Sequence, residues 1–223
     1  MTHNRRVHIH GNMRYFFELM LLVLGIAALA IVLVRVVPAH FNSSEEAPFL
    51  AKNDAAMAKM MAGMKIKPSD DVDKDFVAMM VPHHQGAIDM AQAELSYGHN
   101  ERLHRIAQEI IVTQQEDIAT MRLALANASP AHFNRAEEAP FLAKNDAVMA
   151  KMMAGMKIKP ANDVDKDFVA LMVPHHQGAI DMAQAELSYG HNVLLLPIAQ
   201  EIIVTQQQEI AAMRFALGEP SGN

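Results

Sequence analysis

The chain has 223 residues, enough for one sizeable domain or two small ones, and no cysteine, which excludes a disulfide framework and a thiolate metal site. Its net charge of −6 is mild and its basic residues gather only at the extreme N-terminus, which argues against a nucleic-acid partner. Methionine is the outlier, 18 of the 223 residues, in positions that Leu, Ala and Val usually fill.

Residues 1–14 carry Arg5, Arg6 and Arg14 with His3, His8 and His10. From Tyr15 to Val34 the chain is apolar, broken only by Glu18. Twenty such residues match a bilayer core of roughly 30 Å, so residues 15–37 read as a transmembrane anchor. The apolar region of a cleaved signal is shorter, about 7–15 residues, although Val37-Pro38-Ala39 also reads as a cleavage site. More arginines precede the span than follow it. That bias predicts a cytoplasmic tail over 1–14 and everything after Val37 outside. In a bacterium the expectation is a single-pass inner-membrane protein with its C-terminal part in the periplasm.

The remainder is a tandem repeat, 39–130 and 131–223. Residues 39–126 align with 131–218 without gaps, and 15 of the 88 aligned positions differ. Each copy reads as three helical segments, and no segment reads as a strand, so the class is all-α. The first runs from about 45 to 64, with Met57, Met60, Met61 and Met64 spaced i, i+3, i+4, i+7 on one face. A methionine stripe of that kind is read as core or as an adaptable contact surface, and so is Met149–Met156 in the second copy. Asp70, Asp71 and Asp73 are N-cap candidates for the second segment, about 73–97. That segment contains Pro82, as a kink or a first-turn residue, and stops at Gly98, read as a left-handed C-terminal residue. The third segment runs over about 101–126. Its copy starts near Pro197, which stands where the first copy has Arg105.

The second segment carries the run Met79-Met80-Val81-Pro82-His83-His84-Gln85-Gly86-Ala87-Ile88-Asp89-Met90, repeated as residues 171–182 with Leu171 for Met79. At 100° per residue, Gln85, Asp89, Gln92 and Ser96 form a solvent stripe. Opposite lie Met80, His83, Ala87, Met90 and Glu94, with His84 on the flank. On the third segment Leu103, Ala107, Ile110, Gln114, Ile118 and Met121 face inward. Polar groups so placed need partners, because a buried unpaired one costs roughly 1–3 kcal/mol. The alternatives for an inward histidine are a hydrogen-bonded core residue and a ligand. A histidine pair flanked by inward methionines, twice over, favours the ligand. Thioethers are soft neutral donors that suit Cu(I), and imidazole suits copper in either state. The candidate metal residues are Met80, His83, His84, Met90 and Met121, with Met172, His175, His176, Met182 and Met213. Copper as Cu(I), with silver as its surrogate, is the expected ion. Iron fits the donors less well, and zinc would draw more His or carboxylate.

The run from Met80 to Ala91 with Ile111 to Met121, and again Met172 to Ala183 with Ile203 to Met213, resembles the bacterial domain-of-unknown-function 305 family. Met80-Val81-Pro82-His83-His84 is its distinctive part. The resemblance covers about residues 45–217. It implies a ferritin-like four-helix bundle made of two similar helix pairs, led by the Met-rich segments, in a secreted or membrane-anchored protein. It also implies copper binding in some relatives. A single helix hairpin cannot bury its own apolar face, which favours one bundle over two separate three-helix domains.

Three functions compete. The favoured one is a membrane-tethered periplasmic protein that sequesters Cu(I) or hands it over to a copper-handling partner protein, alone or as a homodimer. The second is a ferritin-like dimetal oxidase. It needs Glu-x-x-His on two helices, and Glu101-Arg102-Leu103-His104 has no counterpart in Val193-Leu194-Leu195-Leu196. The third is a Met-rich interaction module without metal. Nucleophilic catalysis has no support, since no nucleophile-elbow or phosphate-loop pattern occurs, and the chain reads as a binding protein rather than an enzyme. His40 and His132 read as loop residues, and the histidines of the N-terminal tail as unspecific.

Overall fold

A computed structural model describes residues 43–127 and 135–219. The predicted tail and anchor over 1–37, with His40 and His132, lie outside the described residues. None of the described helices is long and apolar enough to cross a membrane.

Six helices and no strand are found among the described residues: α1 Ser43–Gly63, α2 Val72–Tyr97, α3 Glu101–Ala126, α4 Arg135–Gly155, α5 Val164–Tyr189 and α6 Leu195–Ala216. Local chemistry sets their starts. Asp71 has extended backbone and its Oδ1 accepts from Lys74 N at 3.2 Å, which satisfies one of the orphan donors of α2. Asp163 does the same for α5 through Lys166 N. Asn100 Oδ1 accepts from Arg102 N and Leu103 N to open α3. The second copy has no such side-chain cap at Leu194, and α6 begins two residues before Pro197, so that the proline lies in the first turn, where its missing N–H costs nothing.

Pro82 does not break α2, which runs unbroken through it. The C-terminal Gly63 of α1 docks against that ring: a Cβ there would stand 2.7 Å from Pro82 Cβ, and Gly155 meets Pro174 in the same way at 2.8 Å. Gly98 corrects the expectation of a left-handed cap. Its φ is −73° and ψ 162°, extended backbone open to any residue, and its N–H donates to Glu94 O at 2.7 Å. Glycine is needed there for space, since a Cβ would lie 2.3 Å from Glu94 Oε1.

Helices α2, α3, α6 and α5 pack in a closed ring, each against the next, and form the four-helix bundle. Helix α1 lies on α2 and reaches α5, while α4 lies on α5 and reaches α2. The central pair is therefore covered on two sides, by α3 and α6 on one and by α1 and α4 on the other. This explains why 16 residues of α2 are buried, more than one amphipathic stripe supplies. Phe49 and Phe141 from the outer helices and Phe76 and Phe168 from the central pair are fully buried in one continuous core with the methionines.

The repeats clasp each other at both ends. Asp165 Oδ1 accepts from His99 N and Asn100 N, each at 3.0 Å. In the mirror arrangement Asp73 Oδ1 accepts from His191 N at 3.1 Å and Asn192 N at 2.9 Å. Asn100 Nδ2 donates to Ala216 O, and Asn192 Nδ2 to Ala124 O. The hairpin loop of each repeat is thus held by helix ends of the other.

Candidate metal centre

The His-His run lies midway along α2 and α5, where these helices cross. All four imidazoles are fully buried. His83 and His175 meet ring against ring, with centroids 3.9 Å apart and planes tilted by 43°. His84 and His176 stand 6.3 Å from their neighbours in sequence and turn outward to the opposite layer. His84 Nε2 is 3.1 Å from Asp117 Oδ2 on α3, and His176 Nε2 is 2.8 Å from Glu209 Oε2 on α6.

The other side of the central pair brings sulfur. His83 Nε2 is 3.3 Å from Met152 Sδ on α4, and His175 Nε2 is 3.2 Å from Met60 Sδ on α1. Each thioether therefore serves the imidazole of the other repeat. Glycine makes room for both. A Cβ on Gly86 would stand 3.0 Å from Met60 Sδ, and one on Gly178 2.8 Å from Met152 Sδ. These mid-helix glycines carry a propensity cost of about 1 kcal/mol against Ala. Gly86→Ala with Gly178→Ala sets an overpacking cost of about 1–3 kcal/mol per site against that gain of about 1 kcal/mol, a net loss of about 0–2 kcal/mol per site. The displaced thioethers should weaken metal binding, as read by a silver titration beside a thermal melt.

Burial holds the His83 and His175 rings well below the usual imidazole pKa, and the neighbouring imidazoles add to this, His84 and His176 for His83, and His83, His176 and His84 for His175. They are neutral at physiological pH, the form in which imidazole binds a metal. The Nδ1 atoms of all four rings are buried without a hydrogen-bond partner among the described residues. Bonds of about 2.0 Å to nitrogen and 2.3 Å to sulfur put two donors on one ion roughly 3–4 Å apart, the range of the two observed N···S contacts. No three His, Asp or Glu side chains among the described residues are grouped to hold an ion. A donor set here must draw on thioether or amide groups.

The structure places the predicted residues as follows. His83, His84, His175 and His176 come together. Met80, Met90, Met121, Met172, Met182 and Met213 are buried in the core, but the imidazole–sulfur contacts described are those of Met60 and Met152. Their face was legible as a Met stripe on the first helix, yet nothing local marks Met60 rather than Met57 or Met61 as the residue that reaches a histidine. Asp117 and Glu209 were missed for the same reason. Glu94 and Glu186 are buried as expected, but at the bundle ends, each against an aspartate of the other repeat.

A family model described as Domain of unknown function (DUF305) matches the chain twice, over residues 35–125 and 126–217. No curated protein matches the chain in sequence. Similar solved structures include CopM in the Ag-bound form, 28% identical over 67% of this chain and 97% of that one, with a TM-score of 0.48. CopM in the Cu(II)-bound form is 27% identical over 64% of this chain and 93% of that one, TM-score 0.46. A DUF305 fragment from Deinococcus radiodurans is 28% identical over 66% and 95%, TM-score 0.47.

Proposed function

The chain belongs to the DUF305 family, and from that premise we propose that it binds Cu(I), with Ag(I) as surrogate, between His83, His175, Met60 and Met152. The observation that carries the reading is the pairing of each central imidazole with a buried thioether of the opposite repeat. Two neutral nitrogens and two thioether sulfurs make a soft donor set that suits Cu(I) over Mg(II) or Ca(II). Four neutral donors add no negative charge, so a monovalent ion is the less costly one to bury.

A site closed off by α1 and α4 suits sequestration, with release by movement of those outer helices. The apolar length of 15–37 and the arginines before it support a tether in the bacterial inner membrane with the bundle in the periplasm. The dimetal-oxidase alternative draws no support from Glu94 and Glu186, which pair with Asp165 and Asp73 away from the histidines.

Protein purified from copper-fed cells should carry copper. Competition against a Cu(I) chelator should show His83→Ala with His175→Ala weakening binding at least 100-fold, about 2.7 kcal/mol. Equal copper retention by the wild type and this variant would sink the assignment.

A further inference from the structure

On the face of α2 and α5 turned toward α3 and α6 lies a second polar layer. Four contacts close a ring around the bundle at this level. His83 on His175 joins α2 to α5 at 3.9 Å, and His84 Nε2 with Asp117 Oδ2 joins α2 to α3 at 3.1 Å. Thr113 Oγ1, whose nearest acceptor is Glu109 O at 3.0 Å, also lies 3.4 Å from Glu209 Oε1 and so touches α6 from α3. His176 Nε2 with Glu209 Oε2 joins α5 to α6 at 2.8 Å.

Gln114 precedes Asp117 by three residues and Gln206 precedes Glu209 by three, so each amide shares a helix face with its carboxylate. Gln114 is 1% exposed and Gln206 2%. Both amide atoms of each glutamine, and Nδ1 of both His84 and His176, are buried without a hydrogen-bond partner among the described residues. Each such group costs roughly 1–3 kcal/mol. With His176 Nε2 and Glu209 Oε2, which also lack a hydrogen-bond partner among the described residues, eight buried atoms on these four helices call for an occupant.

The carboxylate of Asp117 also sets a tautomer. A carboxylate only accepts, so Nε2 of His84 carries the hydrogen and its Nδ1 is a bare lone pair, whereas His176 Nε2 and Glu209 Oε2 lie 2.8 Å apart without hydrogen-bond geometry. A carboxylate on one ring nitrogen and a free lone pair on the other is the arrangement that orients metal-binding histidines. We propose that this layer is a second cation site, separate from the thioether centre. Nδ1 of His84 and His176 and the amide oxygens of Gln114 and Gln206 take a divalent ion of borderline hardness, for which Zn(II) is the probe. Nitrogen and oxygen donors without sulfur favour such ions over Cu(I). Asp117 and Glu209 supply two nearby negative charges that offset the dication. Asp117, with its side chain 18% exposed, marks the solvent side of the ring.

The test is calorimetric titration of the full chain with Zn(II), beside a parallel titration with Ag(I). The wild type should show a Zn(II) site that His84→Ala with His176→Ala weakens at least 100-fold. Asp117→Asn with Glu209→Gln should weaken it roughly 10–100-fold. Asp117→Glu should leave it within a few-fold, because the second repeat already uses glutamate there. Ag(I) binding should persist in all three. Met60→Leu with Met152→Leu should show the reverse, losing Ag(I) and keeping Zn(II). If that variant keeps Ag(I) as well, the thioether centre fails while the divalent site stands. Should the double alanine variant lose its helical circular dichroism, Gln114→Leu with Gln206→Leu, which removes amide donors from the same layer, decides the matter by its Zn(II) affinity. Identical Zn(II) isotherms for the wild type and the folded variants would overturn the proposal and leave the layer to water only.

Discussion

Ag(I) at a hundredfold excess over its dissociation constant raises the melting temperature of the wild type by roughly 5–10 °C, and Met60→Leu with Met152→Leu removes that rise. The figure follows from mass action. A ligand at 100 times its Kd that binds only the folded state stabilises it by about 2.7 kcal/mol. In a domain of this size 1 kcal/mol corresponds to about 2–4 °C. Leucine nearly conserves the volume of methionine, and such swaps usually cost less than about 1.5 kcal/mol, so the apo variant remains folded and the comparison is clean. The informative control is Met80→Leu with Met172→Leu. Those methionines are fully buried on the histidine-bearing helices, but the described sulfur contacts to Nε2 come from Met60 and Met152. The control should keep the silver-dependent rise. A rise lost in the control and kept in the Met60, Met152 variant would move the donors onto the central helices. Differential scanning fluorimetry in a buffer free of chloride and thiols settles it.

Glu94→Gln with Glu186→Gln stabilises the chain at alkaline pH and flattens its stability profile. Burial, then the carboxylate of Asp165, pushes the Glu94 carboxyl up to about 9. Burial, then Asp73, pushes Glu186 up to about 10. Each therefore enters the fold protonated and donates to its aspartate, which in turn holds a hairpin loop of the same repeat as the glutamate. The folded state holds these protons more tightly than the unfolded chain, whose glutamates titrate near 4.3. Stability from the pair is complete below that value. It erodes as pH rises, because the unfolded chain gives up its protons first, and it is lost once pH passes about 9 for Glu94 and about 10 for Glu186. Glutamine is a neutral near-isostere that still donates to Asp165 and Asp73. A net gain of about 1–3 kcal/mol at pH 9, of the order of one buried hydrogen-bonded group, corresponds to roughly 2–12 °C. Urea denaturation at pH 5, 7 and 9 reads it as a difference from the wild type that grows with pH. A variant that loses stability equally at all three values would show that the carboxyl proton plays no part in the clasp.

Much of the local structure can be read from the residues, because it depends on neighbours in sequence. The i, i+3, i+4 spacing of Met57 to Met64 and of Met80 to Glu94 reports a helix face. Asp71 caps α2 because its short carboxylate reaches Lys74 N three residues on. The inward pointing of His83, Glu94, Gln114 and Met121 follows from the same 3.6-residue period, and all four are buried. Gly98 shows where local reasoning stops. A glycine after a helix suggests a left-handed cap, but this one exists because the side chain of Glu94 folds over it.

The residues alone establish an all-α chain of two near-identical three-helix repeats, with a buried His-His pair and a buried carboxyl in each. Which groups meet is a matter of tertiary packing. His175 and Met60 are 115 residues apart, and His83 and Met152 are 69 apart. Because the two repeats are almost identical, pairing within a repeat and pairing between repeats look the same in sequence. What breaks the tie is the covering of α2 and α5 on both sides. Two inward faces on one helix let His83 turn to the thioethers and His84 to the carboxylates, a division that a single hydrophobic stripe does not encode.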